Sequence, residues 1–464
     1  MGHAQTLSVE TGSCAAYTTM DALRRRPALS LLRDMAQKSA KEEAAERKEG
    51  RDETAPQEAQ DAAEAPSTAN GHPNGEADAE DAEAERASDE APADEDEGEE
   101  EEAPSPEEIQ AASEVPSAPV KLELKFKTYP GDQFTHDELH LGDKQVVKMY
   151  RNMLLQRRFE ERCRQQYQQQ NISGFLHLYI GQEAVSTGTV AAIRHGEDSV
   201  ITAYRDHGLA LAMGLDPGEC MAELFGKETG VTDGKGGSMH FFGREERFFG
   251  GHGIVGAGVP LAAGLAFAHQ YRGDEEICVG FFGDGAVQQG AFHEALNLAG
   301  LYDLPAVFIC ENNQYGMGTH IERAAANPDL YQQAAAYDMP GAVANGQDVF
   351  SVNRAVQDHV EMAREGQPSL LEVRTYRYQG HSISDPANYR AEGELEAQQK
   401  SDAIIRLKKY LLDEDLASGD TLDEIDEEVK QEVLDAIAFA EESDLPDESA
   451  LYENVYAGEY SFLS

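Results

Sequence analysis

Short apolar runs closed by glycine turns alternate with longer stretches of helical spacing through most of the chain. The run Ile277-Cys-Val-Gly-Phe-Phe282 and a second ending in Glu311-Asn312-Asn313 predict two buried strands, with a helix over residues 289–301 between them. Strand, helix and strand make one βαβ unit, and a right-handed crossover sets the two strand ends side by side. Residues 198–203 form a further apolar run, 259–271 a helix of small residues able to pack closely on a sheet, and 369–376 another strand. Earlier, Val146, Val147, Met149, Tyr150, Met153, Leu154 and Phe159 recur at helical spacing. They predict a helix over 136–170, with Arg157, Arg158, Glu160, Glu161 and Arg162 paired on its wetted side. From 399 to 442, Ile404, Leu407, Leu411, Leu422, Ile425, Val429, Val433 and Ile437 return to helical periodicity. The alternation predicts an α/β fold, doubly wound around a mainly parallel sheet, with ligands at the carboxyl edge of the strands. We place this domain at residues 131–398. A C-terminal helical extension, 399–464, packs on it or on a second subunit.

Charge separates the rest of the chain from this domain. The formal charge is -49, from 87 acidic and 38 basic residues, and 28 of the acidic ones lie between Lys41 and Glu114 beside five basic ones. That stretch holds almost no large apolar residue and cannot bury enough surface to offset its ordering entropy, so 41–130 is expected to be a disordered acidic arm and linker. Pro116, Pro119 and Pro130 mark its junction with the domain. The remainder still carries about -26, which suits a concentrated-salt cytoplasm and excludes the basic stripe that nucleic-acid binding requires. Residues 1–40 read as a leader. Its basic segment, 23–33, resembles a mitochondrial transit peptide, but Glu10, Asp21 and Asp34 intrude, so a cytoplasmic location is expected over a mitochondrial matrix or plastid one. No apolar run is long enough to span a membrane. The five cysteines, Cys14, Cys163, Cys220, Cys278 and Cys310, lack any C-x-x-C spacing, which indicates neither a disulfide framework nor a zinc site.

The candidate chemistry lies at the predicted strand ends. Asp284, in Gly283-Asp-Gly-Ala286, and Asn313 would converge as a carboxylate and an amide oxygen, the hard ligands that Mg2+ takes alongside phosphate oxygens and water. The flanking glycines let a diphosphate approach the backbone where a helix begins. A lone Gly-Asp-Gly is an ordinary turn, and the arrival of Asn313 at the matching position sets this one apart. Tyr204-Arg205 follows another apolar run, and a guanidinium offers paired donors to phosphate. His381 follows the last strand, within reach of the same edge.

Gly-Asp-Gly followed at this distance by Asn-Asn resembles the thiamine-diphosphate motif. The stretch FGDGAVQQGAFHEALNLAGLYDLPAVFICENNQYGMG, residues 282–318, is similar to the α subunit of the pyruvate dehydrogenase first component. Similar blocks are Gly174-Phe-Leu-His-Leu-Tyr-Ile-Gly-Gln-Glu183, Ala203-Tyr-Arg-Asp-His-Gly208, Gly234-Lys-Gly-Gly-Ser-Met-His240, Gly253-Ile-Val-Gly256 and Gly380-His-Ser-Ile-Ser-Asp-Pro386. The resemblance implies thiamine diphosphate and Mg2+ as cofactors, with Asp284, Asn313 and the carbonyl of Tyr315 as metal ligands. It implies cofactor contacts from Tyr204, Arg205, Gly253, Val255, Gly285, Ala286 and His381. His381 and His177 are the implied catalytic residues, and His177 with Phe175 the implied substrate contacts. His207 is expected to help position Arg205. Ser382 and Ser384 match a loop that is phosphorylated in eukaryotic relatives.

In that family the glutamate beside the aminopyrimidine ring belongs to a separate β subunit. The roughly 350 folded residues here accommodate one α/β domain where a self-contained enzyme needs two. The resemblance therefore implies an α2β2 assembly that oxidatively decarboxylates pyruvate and passes the acetyl group to a lipoyl acyltransferase core. Residues 176–183 and the single histidine before Ser382 are closer to the pyruvate type than to the branched-chain type, and Tyr204-Arg205 differs from the His-Arg of acetoin dehydrogenases. One departure is Gln288, where many pyruvate-type relatives carry Asn. Branched-chain 2-oxoacid or acetoin dehydrogenase stands as the alternative, and a non-catalytic binding subunit as the alternative of another class.

Overall fold

In a computed structural model of the chain, residues 126–455 are described. The leader, the acidic arm, Cys14 and the last nine residues lie outside them. The elements in chain order are β1 (Phe126–Tyr129), α1 (Asp143–Gln168), α2 (Glu183–Val190), β2 (Ser199–Ile201), α3 (His207–Met213), α4 (Pro217–Leu224) and α5 (Gly258–Arg272). There follow β3 (Cys278–Gly283), α6 (Gly290–Leu301), β4 (Ala306–Asn312), α7 (Ile321–Ala324), β5 (Gly341–Asn345), α8 (Val349–Arg364) and β6 (Ser369–Arg374). Three further α-helices follow, α9 (Glu394–Gln399), α10 (Ala403–Asp413) and α11 (Gly419–Glu442), and a 3-10 turn at Glu448–Tyr452 comes after them.

The six strands form one sheet in the order β1-β5-β6-β4-β3-β2, and every pairing is parallel. Successive side chains on a strand point to opposite faces, so the continuous apolar runs of β3 and β4 feed two separate cores. Val279, Phe281, Val307 and Ile309 pack with α1, α2, α3, α8 and the C-terminal helices. Cys278, Phe282, Ala306, Phe308 and Cys310 pack with α5 and α6. This is the doubly wound α/β architecture that the alternation predicts. The small residues of α5 serve a close approach to the sheet: a Cβ built on Gly280 of β3 would fall 2.5 Å from the Cβ of Ala262.

Three expectations change. Residues Phe126–Tyr129, assigned by composition to the linker, form an edge strand beside β5. The strand is four residues long and only Tyr129 is buried, so it leaves almost no pattern; Tyr129 is tied to Asp358 of α8 at 2.6 Å. The first helix begins at Asp143, because Gly142 is extended at its N-cap and His140 takes a positive φ of 56°. Glu160 of α1 is buried, not wetted, and accepts from the backbone N–H of Tyr179 at 2.6 Å. Helices α10 and α11 bury Leu407, Leu411, Leu422, Val429, Val433 and Ile437 against the domain, as one of the two expected placements has it.

Candidate active site

The carboxyl ends of four parallel strands meet at one cleft. Asp284 follows β3, Asn313 follows β4, Tyr204-Arg205 follows β2 and Arg377 follows β6. Strands β3 and β4 are paired with Gly283 opposite Glu311, which places the two candidate metal ligands at adjoining strand tips. The cleft is lined by Gln182, Tyr204, Arg205, Val255, Gly256, Asp284, Gly285, Ala286, Glu311, Asn313, Tyr315 and Arg377, among others. Asp284 and Asn313 are both buried, and burial raises the Asp284 carboxyl to about 6, against the opposing pull of the Arg377 charge. A carboxylate held so unfavourably in the bare protein is a strong ligand for a cation that neutralises it.

Arg377 organises the oxygens around this carboxylate. Its Nη1 donates to Asn313 Oδ1 and to the carbonyl of Tyr315, each at 3.0 Å. The two neutral oxygens expected at the metal are therefore already drawn to one point by a positive charge. Arg205 is also buried and donates to the carbonyls of Leu178 and His381, each at 2.7 Å. Burial, and then Arg377, lower its guanidinium to about 10, so it remains cationic at neutral pH. Two buried cations thus face the cleft from two strands, a charge pattern that fits a polyanion.

The residues present fit a metal–diphosphate group. A Cβ added at Gly283 meets nothing within 4 Å, and one at Gly285 meets only the Cα of Gly316 at 3.5 Å, so the backbone here fronts open space that a ligand can enter. The Gln182 Nε2 donor, buried at the cleft, has no hydrogen-bond partner. Nδ1 of His177 and Nδ1 of His381 are likewise unpaired.

His177, Tyr204 and His381 form a ring cluster, with centroids 4.8 Å apart for His177–Tyr204, 5.3 Å for His177–His381 and 5.7 Å for Tyr204–His381. Burial and then the Arg205 charge push His177 down to about 3 and His381 down to about 4. Both imidazoles are thus neutral at physiological pH, acting as hydrogen-bonding groups before any proton arrives. Phe175 stacks at 6.3 Å on His177 and is largely exposed. Val255 lines the cleft, whereas Gly253 faces His240, whose Nε2 lies 3.3 Å from a Cβ built on that glycine.

His207 does not position Arg205. It is fully buried, with Nδ1 3.1 Å from Glu160 Oε2 and Nε2 3.1 Å from the carbonyl of Ser238, and so ties α1 to the 234–240 loop. Ser382 and Ser384 contact one another at 3.1 Å in a loop held by Asp385, which accepts from the His381 and Ala387 amides at 2.7 and 2.8 Å. Sequence reasoning missed Arg377, Gln182 and Glu311, whose carboxylate accepts from the Tyr179 hydroxyl beneath the cleft. Arg377 carried a usable signal: like Arg205, it is an arginine just past a strand.

The Dehydrogenase E1 component family model matches residues 151–449. A protein of Zymomonas mobilis named pyruvate dehydrogenase E1 component subunit alpha is 48% identical over 323 residues, 69% of this chain and 91% of its own. The protein of that name from Rhizobium meliloti is 48% identical over 67% of this chain and 89% of its own. The alpha-1, mitochondrial form of Arabidopsis thaliana is 45% identical over 68% and 81%. Every block from which the cleft is built lies inside the matched range, and the chain belongs to the dehydrogenase E1 component family.

Proposed function

We propose that the chain is the α subunit of a thiamine-diphosphate-dependent pyruvate dehydrogenase, oxidatively decarboxylating pyruvate and acetylating a lipoyl group together with a β subunit. The observation that carries this reading is the convergence of Asp284, Asn313 Oδ1 and the Tyr315 carbonyl at adjoining strand tips, facing buried Arg205 and Arg377. Asp284, Asn313 and Tyr315 would hold Mg2+, whose hard, near-octahedral preference suits one carboxylate and two neutral oxygens. Arg205 and Tyr204 would meet the diphosphate, with Gly285 and Ala286 giving it backbone access and Val255 beneath the organic part. Thiamine diphosphate, when bound, supplies the carbon nucleophile and electron sink that a 2-oxoacid decarboxylation requires.

The chain's own residues orient and protect. His177 and His381, neutral and packed on Tyr204, offer unpaired ring nitrogens that can hold a carboxylate or shuttle a proton beside the cleft. Arg205 grips the His381 carbonyl and so fixes the 379–386 loop over the site. A β-subunit partner is supported by the apolar surface left open: Leu261 on α5 and Leu298 and Leu301 on α6, two helices that pack together, are exposed, as are Ile254 and Met317.

The test is co-production with the β subunit and a dye-reduction assay offering pyruvate, 2-oxoisovalerate and acetoin. Turnover is expected with pyruvate, only in the two-subunit assembly and only with Mg2+ and thiamine diphosphate. Turnover by the isolated chain, or preference for either other substrate, overturns it.

A further inference from the structure

Arginine can only donate hydrogen bonds, so the Asn313 amide must present its oxygen to Arg377. Its nitrogen is thereby turned the other way, where Nδ2 donates to Gln182 Oε1 at 2.8 Å. Gln182 must in turn show Asn313 its oxygen, which leaves its own Nε2 pointing elsewhere. That nitrogen is fully buried and has no partner, and Gln182 lines the same cleft as Asp284, Tyr204 and Arg205. A buried donor with nothing to bind is costly in a folded protein, and one at a binding cleft is satisfied by the ligand. Three side chains from distant parts of the chain therefore dictate a single arrangement of two amides.

We propose that Gln182 is a cofactor-site residue with two roles. Its oxygen locks the Asn313 amide so that Oδ1 faces the metal position, and its free N–H donates to an oxygen of the cofactor's diphosphate. Either role fails without the other: a flipped Gln182 would oppose its N–H to the Asn313 N–H, and a flipped Asn313 would point its N–H at Arg377 and the metal. The inference rests on the thiamine-diphosphate reading above.

The experiment is calorimetric titration of thiamine diphosphate, at several fixed Mg2+ concentrations, into the co-produced two-subunit enzyme stripped of cofactor. Gln182→Met keeps the length of the side chain and removes both amide atoms. Loss of a hydrogen bond to a charged group predicts a dissociation constant at least about tenfold higher. The Mg2+ needed for half-saturation should rise in parallel, and excess Mg2+ should restore part of the affinity, which a merely structural lesion would not allow. Unchanged thiamine diphosphate affinity and unchanged Mg2+ dependence overturn the proposal. Should that variant fail to assemble, Gln182→Leu decides by the same two readings, since it also removes both amide atoms without adding charge: binding weaker by about tenfold that excess Mg2+ partly restores supports the assignment, and wild-type binding overturns it. A wild-type enzyme that takes up no thiamine diphosphate sinks the parent reading and this one together, whereas uptake by wild type beside unaltered variants sinks this one alone.

Discussion

Asp284→Asn should weaken the enzyme and strengthen the fold. The carboxyl of Asp284 is raised from 3.8 to about 6, chiefly by burial, so the folded protein binds its proton more tightly than the unfolded chain does. A group whose native value is raised in this way costs stability as pH rises through that interval, with the full cost present above about 6. At about 1.4 kcal/mol per pH unit the cost reaches about 3 kcal/mol, an upper figure because the unfolded chain keeps residual structure. Asparagine keeps the shape and one acceptor oxygen but cannot ionise. In the cofactor-free two-subunit enzyme, Asp284→Asn is therefore expected to gain about 1–3 kcal/mol at pH 7.5 and no more than about 0.5 kcal/mol at pH 4. Denaturant unfolding at both pH values, without Mg2+, measures this. The same variant should lose Mg2+-dependent cofactor binding. A variant no more stable than wild type at pH 7.5, or one whose gain is the same at both pH values, refutes the claim that an uncompensated buried charge waits at this site for a cation.

Other consequences are independent of the cofactor. Burial pushes His359 of α8 down to about 4, so on unfolding in acid it must take up a proton that the native state refuses. Stability should fall as pH drops from 6.5 to 4, by up to about 3 kcal/mol from this group, and His359→Gln should flatten that part of an unfolding-versus-pH series. Gly280→Ala sets a methyl group against Ala262 and should cost about 1–3 kcal/mol, read as a lowered melting temperature. Arg364 donates to both oxygens of fully buried Asp198, at 3.0 and 2.6 Å, and Arg364→Met removes this charge partner, leaving the carboxylate the Arg194 and Ile277 amides, at an expected cost of about 3–5 kcal/mol by denaturant unfolding.

What was legible in the chain by itself was whatever short-range pattern records. The two apolar runs ending at Asp284 and Asn313, with one helix between, specify a βαβ unit, and that unit already implies adjoining strand tips. Small residues along α5 announced a close approach to the sheet because a missing side chain is visible without a structure. Local pattern also misled in places. Glu160 sits among charged neighbours, yet it faces inward because the Tyr179 N–H and His207 meet it from other parts of the chain. His207, beside Arg205 in sequence, has the spacing of a support for it and belongs to the core instead. Strand β1 is too short to carry a period and exists because β5 and Asp358 give it partners. The amide arrangement of the cleft was decided only by tertiary structure. Gln182, Asn313 and Arg377 are 131 and 64 residues apart in sequence, and no one of them constrains its own orientation. Hydrogen-bond direction is a property of pairs, so it appears only once the fold has brought the partners within 3 Å of one another.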